Sequence, residues 1–236
     1  MRHDLFRFSG AHIPGVAILL IRYPNNAGTH TGIIYRGEDE RLYQLDLQGN
    51  RLLSNTVWSG RYVHVIPNTD DDAIDNIASL CRIISRRSEQ RRQRGQPGEI
   101  LYAMKVDAAS RFNAATGELH LGEGVGLTCS TFVLIVFLSA GVPLVDLTNW
   151  PARPADAPRH SALINFLTGQ GGDPAYIARV QAELPCSRVA PEEVAGAGMN
   201  PDLLTNQPAN QAFTERAARW ILGLLDHNFA CGFRPC

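Results

Sequence analysis

Short apolar runs separated by turn-forming residues dominate the first third of the chain. Most are seven or eight residues long, which suits buried strands better than helices. Glycine, asparagine, proline and acidic residues between the runs favour tight turns. The pattern predicts an antiparallel meander of four strands at residues 15–22, 29–35, 41–47 and 61–66.

Helical periodicity begins after the acidic triplet at residues 70–72, which suits the positive end of a helix dipole. Residues 130–140 are apolar almost all round and must therefore lie in the middle of the fold. Further helices are predicted at 174–184 and 211–227. The helix that begins at the acidic triplet should pack on the sheet through one apolar face, formed by Ile74, Ile77, Cys81 and Ile84.

Elsewhere the pattern is weaker. Two more strands are predicted, at residues 100–106 and 118–121, and the proline-rich stretch 149–159 is predicted to be irregular. Together these features indicate one α+β domain over residues 1–236, with extra helices toward its C-terminus.

Composition and charge argue against some classes of function. The 236 residues carry a formal net charge of −1, which gives no overall reason to expect a nucleic-acid partner. No apolar run reaches the 18–20 residues needed to cross a bilayer, so stable membrane insertion is not expected. The first ten residues do not resemble a secretory signal. The chain is therefore predicted to be cytoplasmic, or exported by a route that needs no signal peptide.

The five cysteines are widely spread and odd in number, which is typical of free thiols in a reduced compartment. Cys231 and Cys236 could pair or bind metal, but no further ligands lie beside them, and no metal or cofactor is predicted. A local basic run, from Arg82 to Arg94, is interpreted as the solvated end of a helix, with a polyanion site as the alternative.

Cys129 is the strongest candidate for chemistry. It follows a glycine-rich loop and opens the apolar helix, where unpaired backbone N–H groups and the helix dipole favour a thiolate. The same N–H groups could bind an oxyanion. The alternative is that Cys129 is simply a small buried apolar residue, which is the usual fate of a free cysteine.

A thiolate nucleophile needs a base, and His30 has the most suggestive setting. It stands at the entry to a predicted strand, and Gly32 lies two residues later on the same face, leaving room beside the imidazole. His120 is the main competitor because it is close to Cys129 in sequence. His64 is expected to face the surface.

A third group should hold the imidazole in one tautomer. The strand after His30 offers Gln44 and Asp46, which alternate with apolar neighbours. Either could lie beside His30. For Asp46 the expectation is that it faces solvent.

These residues resemble the motifs of NlpC/P60 proteins, which are papain-like cysteine hydrolases. Residues 129–133 (Cys-Ser-Thr-Phe-Val) match the family's Cys-Ser-x-x-Val motif at the start of the central helix. Residues 30–35 (His-Thr-Gly-Ile-Ile-Tyr) match its His-x-Gly-Ile-Tyr motif with one extra residue. Histidine precedes cysteine here, as in the circularly permuted branch. The resemblance covers about residues 15–146, which leaves 147–236 as a helical C-terminal extension.

The resemblance implies a papain-like antiparallel sheet packed on a central helix that bears the cysteine. It also implies a catalytic triad of Cys129, His30 and Gln44, because Gln44 aligns with the family's third position. Glutamine replaces the more common histidine or acid, and it stabilises an imidazolium less. The segment 65–117 and the tail beyond Asn149 have no counterpart in the family pattern.

The expected activity is hydrolysis of an amide or ester in a peptide or acyl substrate, through a thioacyl intermediate. Three alternatives remain open. They are an acyltransferase or thioesterase acting on lipid, a protein-modifying deamidase or effector using the same triad, and a binding module that has lost activity. Neither the substrate nor the oligomeric state can be read from the sequence.

Overall fold

The chain forms a mixed α+β structure around a six-stranded antiparallel sheet. The computed structural model describes residues 6–7, 13–23, 28–60, 62–105 and 107–230, with the backbone alone for 6–7 and 226–230. The strands run in the spatial order β1-β6-β2-β3-β4-β5. Their bounds are β1 Phe6–Arg7, β2 Val16–Arg22, β3 Thr29–Arg36, β4 Leu42–Gly49, β5 Leu52–Val57 and β6 Val63–Val65.

The predicted meander is present from β2 through β4, and these strands pair in sequence order. Strand β6 returns to the far side of β2 and does not extend the meander. Strand β5 was not predicted because its sequence, Leu-Leu-Ser-Asn-Thr-Val, has no apolar alternation. It lies at the edge of the sheet, and burial therefore does not demand such a pattern.

Helix α1, Asp71–Gln93, begins where the acidic triplet predicts. The side chain of Asp70 caps it by accepting a hydrogen bond of 2.7 Å from the backbone N–H of Ala73. The predicted apolar face is buried as expected, and it joins the main core. This confirms the 3.6-residue periodicity as the signal for the helix.

Helix α2, Cys129–Ser139, is buried along almost its whole length and crosses strands β3 and β4. Phe132 and Phe137 are among its fully buried side chains, and they pack in one core with Ile33 and Leu45 of the sheet. The apolar helix thus occupies the central position that its sequence requires.

The C-terminal third is helical, with α3 Ala157–Gly169, α4 Pro174–Ala182, α5 Pro191–Gly198 and α6 Gln211–Ala230, and 3-10 helices at Pro154–Asp156 and Pro201–Thr205. The predicted helices at 174–184 and 211–227 are confirmed as α4 and α6. Helix α5 packs directly on the sheet, since a Cβ on Gly198 would lie 2.7 Å from Ile18.

Two local predictions are wrong, and a third is confirmed only in part. Residues 100–105 form no strand and are instead held by backbone hydrogen bonds between Leu101, Ala103 and Leu127; residue 106 lies outside the described part. Helix α3 begins inside the stretch 149–159, where Pro158 falls in its first turn and is therefore tolerated. The strand at 118–121 shortens to β8, Leu119–His120, paired with β7, Arg111–Phe112.

Several arginines of the basic run in α1 make ion pairs or hydrogen bonds to residues outside the helix. Arg87 makes two hydrogen bonds of 2.7 Å to Glu99, and Arg86 lies 2.8 Å from Glu38. Arg91 donates to the carbonyl of Pro97. A groove of about 760 Å³ lies between this helix and β5. Because so many of its cations are already engaged, the arrangement favours the helix-end interpretation over a polyanion site.

Candidate active site

Cys129 is the first residue of α2, and a reciprocal pair of threonines fixes the helix start. The backbone N–H of Thr131 donates to the hydroxyl of Thr128 at 3.2 Å, and the N–H of Thr128 donates to the hydroxyl of Thr131 at 2.7 Å. This pairing satisfies the third N–H of the helix but leaves those of Cys129 and Ser130 without an intrahelical acceptor. The N–H of Cys129 contacts the Tyr102 hydroxyl, so an oxyanion bound here would accept from the N–H of Ser130 and take over the contact with that of Cys129.

The glycine-rich loop before α2 brings the helix start against an irregular segment. A Cβ on Gly126 would lie 2.2 Å from the carbonyl oxygen of Leu101. Only glycine allows this approach of two backbones, and it brings Tyr102 to the thiol.

His30, near the start of β3, is buried and lies against Cys129. Its Nε2 is 2.7 Å from the Oδ2 of Asp46. Because Nε2 is taken by the carboxylate, Nδ1 is the nitrogen left for the thiol. The structure therefore brings together the two residues that the sequence singled out as nucleophile and base.

The third group is Asp46, and the expectation that it faces solvent is wrong. Its side chain is 1% exposed, and its second oxygen, Oδ1, accepts a hydrogen bond of 3.1 Å from the Nε2 of Gln44. Gln44, the residue that the family resemblance placed third, thus binds the carboxylate rather than the imidazole. The polar chain runs from Gln44 through Asp46 and His30 to Cys129.

Strand register explains this arrangement. Ile34 pairs with Gln44 and Ile33 with Leu45, so the same register sets Asp46 opposite Gly32. A Cβ on Gly32 would lie 2.6 Å from the Cβ of Asp46. The room that Gly32 leaves beside the imidazole, predicted from the sequence, is filled by the Asp46 side chain on a diagonal from His30.

The pKa values of the pair are shifted in opposite directions. Burial is the largest influence on His30 and lowers its pKa, but hydrogen bonds to Asp46 and Cys129 outweigh it and raise the pKa to about 9. For Cys129, burial acts in the other direction and raises the pKa of the thiol. His30, the backbone N–H of Thr31 and the hydroxyl of Tyr102 more than offset that effect, so the pKa of this thiol is lowered. The environment thus favours a thiolate–imidazolium pair.

Two of these thiol contacts were missed by sequence reasoning. Pairing between β3 and β4 begins at Ile33, which leaves the Thr31 N–H beyond the last pair and available to sulfur. Tyr102 is held on both sides, since its N–H donates to Asn50 and its carbonyl accepts from Tyr176. Burial and the nearby Cys129 raise the pKa of Tyr102. No sequence motif marks either contact.

The other cysteines of known environment provide a contrast. Burial raises the pKa of the Cys81 thiol, and it raises that of Cys186 to about 11. Neither thiol has a histidine among the causes of its shift. Cys231 and Cys236 lie outside the described residues. Within the described chain, only Cys129 among the free cysteines has a lowered thiol pKa.

The two rival histidines lie elsewhere. His120 is exposed on β8, where it lowers the pKa of Glu99 as one of several nearby charges. His64 is fully buried in β6 with its ring edge-on to Trp58, so the expectation that it faces the surface is wrong. Among the described residues, no cluster of three or more His, Cys, Asp or Glu side chains could hold a metal ion.

The thiol opens into a cleft of about 260 Å³. Strand β3 and the start of α2 form its floor, and one face of α3 forms a wall that the sequence analysis did not foresee. The repeat of Ala162, Leu163 and Phe166 at helical spacing is the signal that could have revealed this wall. The lining also includes Tyr23, Thr29, Gln48, Tyr102, Met104, Arg159, Arg188, Val189 and Pro191.

A buried ion cluster fastens this wall to the rest of the chain. Arg153 lies 2.5 Å from Glu193 and 3.1 Å from Asp156, and it donates to the carbonyl of Arg188. Hydrogen bonds to Glu193 are the main reason that the pKa of Arg153 is raised. The cluster joins the start of α3 to the segment before α5, so both sides of the cleft are held in place.

Searches for relatives do not add to this picture. In the described part of the chain, every helix is too short or too polar to cross a membrane. Comparison with protein-family models, with curated proteins and with solved structures finds no match for this chain.

Proposed function

We propose that this chain is a cysteine-dependent acyl-transfer enzyme of the papain-like class that hydrolyses an amide or an ester. The observation that carries the proposal is that Cys129 and His30 meet in one cleft at the start of a buried helix, with the buried carboxylate of Asp46 bound to His30. Packing alone does not explain why a buried cysteine is surrounded by an imidazole, a buried carboxylate and the N–H donors at the helix start.

The reaction follows from these positions. The thiolate attacks the substrate carbonyl, and the new oxyanion accepts hydrogen bonds from the N–H groups of Cys129 and Ser130. The imidazolium of His30 gives its proton to the leaving amine or alcohol, and a thioester remains. Neutral His30 then takes a proton from water, whose oxygen attacks the thioester. The acid is released, and the proton on His30 restores the thiolate–imidazolium pair.

Asp46 acts on His30 and does not touch the substrate in this scheme. Its charge stabilises the imidazolium, and its hydrogen bond at Nε2 keeps Nδ1 turned toward sulfur. Gln44 holds the second oxygen of Asp46, which fixes the plane of the carboxylate. We therefore propose Cys129, His30 and Asp46 as the reacting and positioning groups, with Gln44 as support.

A thioesterase or acyltransferase acting on an apolar acyl chain is the second candidate. The apolar wall of the cleft, formed by Leu163, Phe166 and Met104, favours it because such a wall suits an acyl chain. The chemical step at Cys129 would be the same. An acyltransferase would differ from the first candidate because a nucleophile other than water resolves the thioester, and a thioesterase would differ only in the bond that the thiolate breaks.

The test is the pH dependence of iodoacetamide alkylation, with each labelled cysteine identified by mass spectrometry, in wild type and His30→Ala. We expect Cys129 to react rapidly at pH 6 in the wild type. We also expect that reactivity to be lost without His30, while Cys186 reacts slowly in both proteins. If Cys129 is inert, or reacts equally without His30, the catalytic proposal fails and the chain is better regarded as a binding domain.

A further inference from the structure

Arg159 lines the cleft, and its charge has no partner among the residues that the structure describes. Its guanidinium lies beside Gly28, since a Cβ placed on that glycine would be 3.9 Å from Nη1 of Arg159. Gly28 is two residues from His30, and two residues span at most about 7 Å. The cation therefore stands at the entry to the strand that carries the base. Within the described chain, Arg159 makes no ion pair or side-chain hydrogen bond.

The other charges near the cleft are already engaged. Arg188, the second arginine of the lining, lies 3.6 Å from Asp156. Glu192 accepts a hydrogen bond of 2.6 Å from the hydroxyl of Thr29, and it does not line the cleft. Arg159 thus remains as the charge that is free to meet a ligand.

Helix stability does not explain Arg159. It lies in the first turn of α3, the positive end of the helix dipole, where a cation is unfavourable. The carboxylate of Asp156 makes no cap there because it is used by Arg153 and Arg188. Ala157 donates its N–H to Pro154 and Pro158 has none, so the positive potential here comes mainly from the guanidinium of Arg159, and an anion would relieve it.

The same helix face presents the apolar wall. Arg159 and the residues 162, 163 and 166 recur at intervals of three and four, so the guanidinium and the apolar surface face the ligand together. A ligand bound here would rest an uncharged part on Leu163 and Phe166. It would place a negative group near Gly28.

We propose that the substrate of this site carries an oxyanion, a carboxylate or a phosphate, that Arg159 binds while the acyl carbon lies at Cys129. The inference rests on the proposed function, because it assumes that the acyl group reaches the thiol. It makes Arg159 a specificity-determining residue contributed by the C-terminal extension.

Three alkylating probes of similar length test it: N-iodoacetyl-β-alanine, N-iodoacetyl-2-aminoethyl phosphate and the neutral N-iodoacetylethanolamine. In each case the thiolate displaces iodide and forms a thioether, so the rate of labelling at Cys129 reports how each probe binds. The rates are measured in wild type, in Arg159→Gln, and in Arg179→Gln. The last variant removes an equal charge from α4, outside the cleft.

We expect the ratio of anionic to neutral labelling to fall about threefold to tenfold in Arg159→Gln, as for one charge-assisted contact in a partly exposed site. The ratio should change by less than about twofold in Arg179→Gln, because Arg179 does not line the cleft and solvent and salt screen the charge of an exposed side chain. The larger fall, for the carboxylate or for the phosphate, identifies the anion that the site prefers.

An unchanged ratio in Arg159→Gln overturns the inference, and it leaves the proposed function intact so long as the neutral probe still labels Cys129 in a manner that depends on His30. Failure of all three probes to label Cys129 in wild type overturns the proposed function itself, and the inference with it. Because Arg159 is exposed, its replacement should not affect folding, and thermal unfolding of each variant checks this.

Discussion

The carboxylate of Asp46 lies 2.7 Å from Nε2 of His30, although the two residues are on different strands and 16 positions apart. Both side chains are buried, and a second hydrogen bond from Gln44 leaves the carboxylate little freedom. A buried charge without a partner is strongly unfavourable, so Asp46 and His30 stabilise each other's charged forms. Through His30, this pair also lowers the pKa of Cys129.

Replacing Asp46 with asparagine should keep the shape and remove the charge. We expect the pKa of His30 to fall by about 1 to 3 units and the reactive Cys129 thiolate to appear at correspondingly higher pH. The pH dependence of Cys129 alkylation measures the change. Gln44→Ala is the matched comparison and should shift the profile less. A larger effect from Gln44 would restore that residue to the third position of the triad.

A methyl group at position 32 should disturb the site without touching the thiol. A Cβ there would lie 2.6 Å from Asp46 and 2.9 Å from the carbonyl of Leu45. We expect Gly32→Ala to lower the free energy of unfolding by about 1 to 3 kcal/mol, as overpacking does, and to slow Cys129 alkylation at pH 6.

Gly223→Ala is the control for this substitution, because Gly223 lies within α6 with nothing within 4 Å of the new Cβ. It should stabilise the protein by up to about 1 kcal/mol through helix propensity and leave alkylation unchanged. Equal stability of Gly32→Ala and wild type in urea unfolding would show that β3 and β4 can separate freely at this point.

The raised pKa of His30 predicts a loss of stability at alkaline pH. Its ordinary value is 6.5 and its folded value is about 9, so its contribution is complete below about pH 6.5 and disappears as pH rises through 9. A Cys129→Ser background removes the opposing titration of the thiol together with its share of the shift, while Asp46 still raises the pKa of His30, so we expect the free energy of unfolding to decrease by about 1 kcal/mol as pH rises above 6.5.

The comparison for this pH effect is the double variant Cys129→Ser with His30→Asn. Other groups also change the stability with pH, among them Cys186, whose pKa is raised to about 11 in the folded protein, but they do so equally in both proteins. The difference between the two stability profiles therefore isolates His30. Parallel profiles from pH 6 to 10 would contradict the raised pKa.

Loss of the Thr128 cap should affect stability more than chemistry. Thr128→Ala removes the acceptor of the Thr131 N–H, and we expect the free energy of unfolding to fall by about 1 kcal/mol. The pKa of Cys129 depends mainly on His30 among the groups that lower it, so its alkylation profile should move by less than one unit. A shift as large as that of Asp46→Asn would show that the helix start governs the thiol.

The sequence pointed to Cys129 and His30, which lie together in the structure, because each has a local signature: an apolar helix after glycines for Cys129, and a strand entry with a small neighbour for His30. The choice between Gln44 and Asp46 had no such signature. It depends on the register of β3 and β4, which the turn between them fixes and which a list of alternating residues does not contain. Gly32 was the local clue to the choice, because a position without a side chain in a packed sheet requires that the residue opposite, here Asp46, fill the space.

The cleft wall was harder to foresee. Helix α3 begins among prolines, which usually signal irregular structure, and its apolar positions are few. What brings it to Cys129 is the ion cluster of Arg153, Asp156 and Glu193, formed between segments about 40 residues apart. Local pattern cannot encode such a distant contact.

Because of where α3 lies, the groups that would carry out the reaction and the surface that would contact the rest of a ligand come from different parts of the chain. The strands and α2 hold every atom that would take part in bond breaking, whereas α3 and the segment before α5 contribute mainly surface against which a ligand rests. Substitutions in residues 157–169 can therefore change what is accepted while leaving the chemistry intact. If the proposed activity holds, a lineage could acquire new substrates by exchanging this helix alone, and grafting a different α3 is a practical route to changing what the cleft binds.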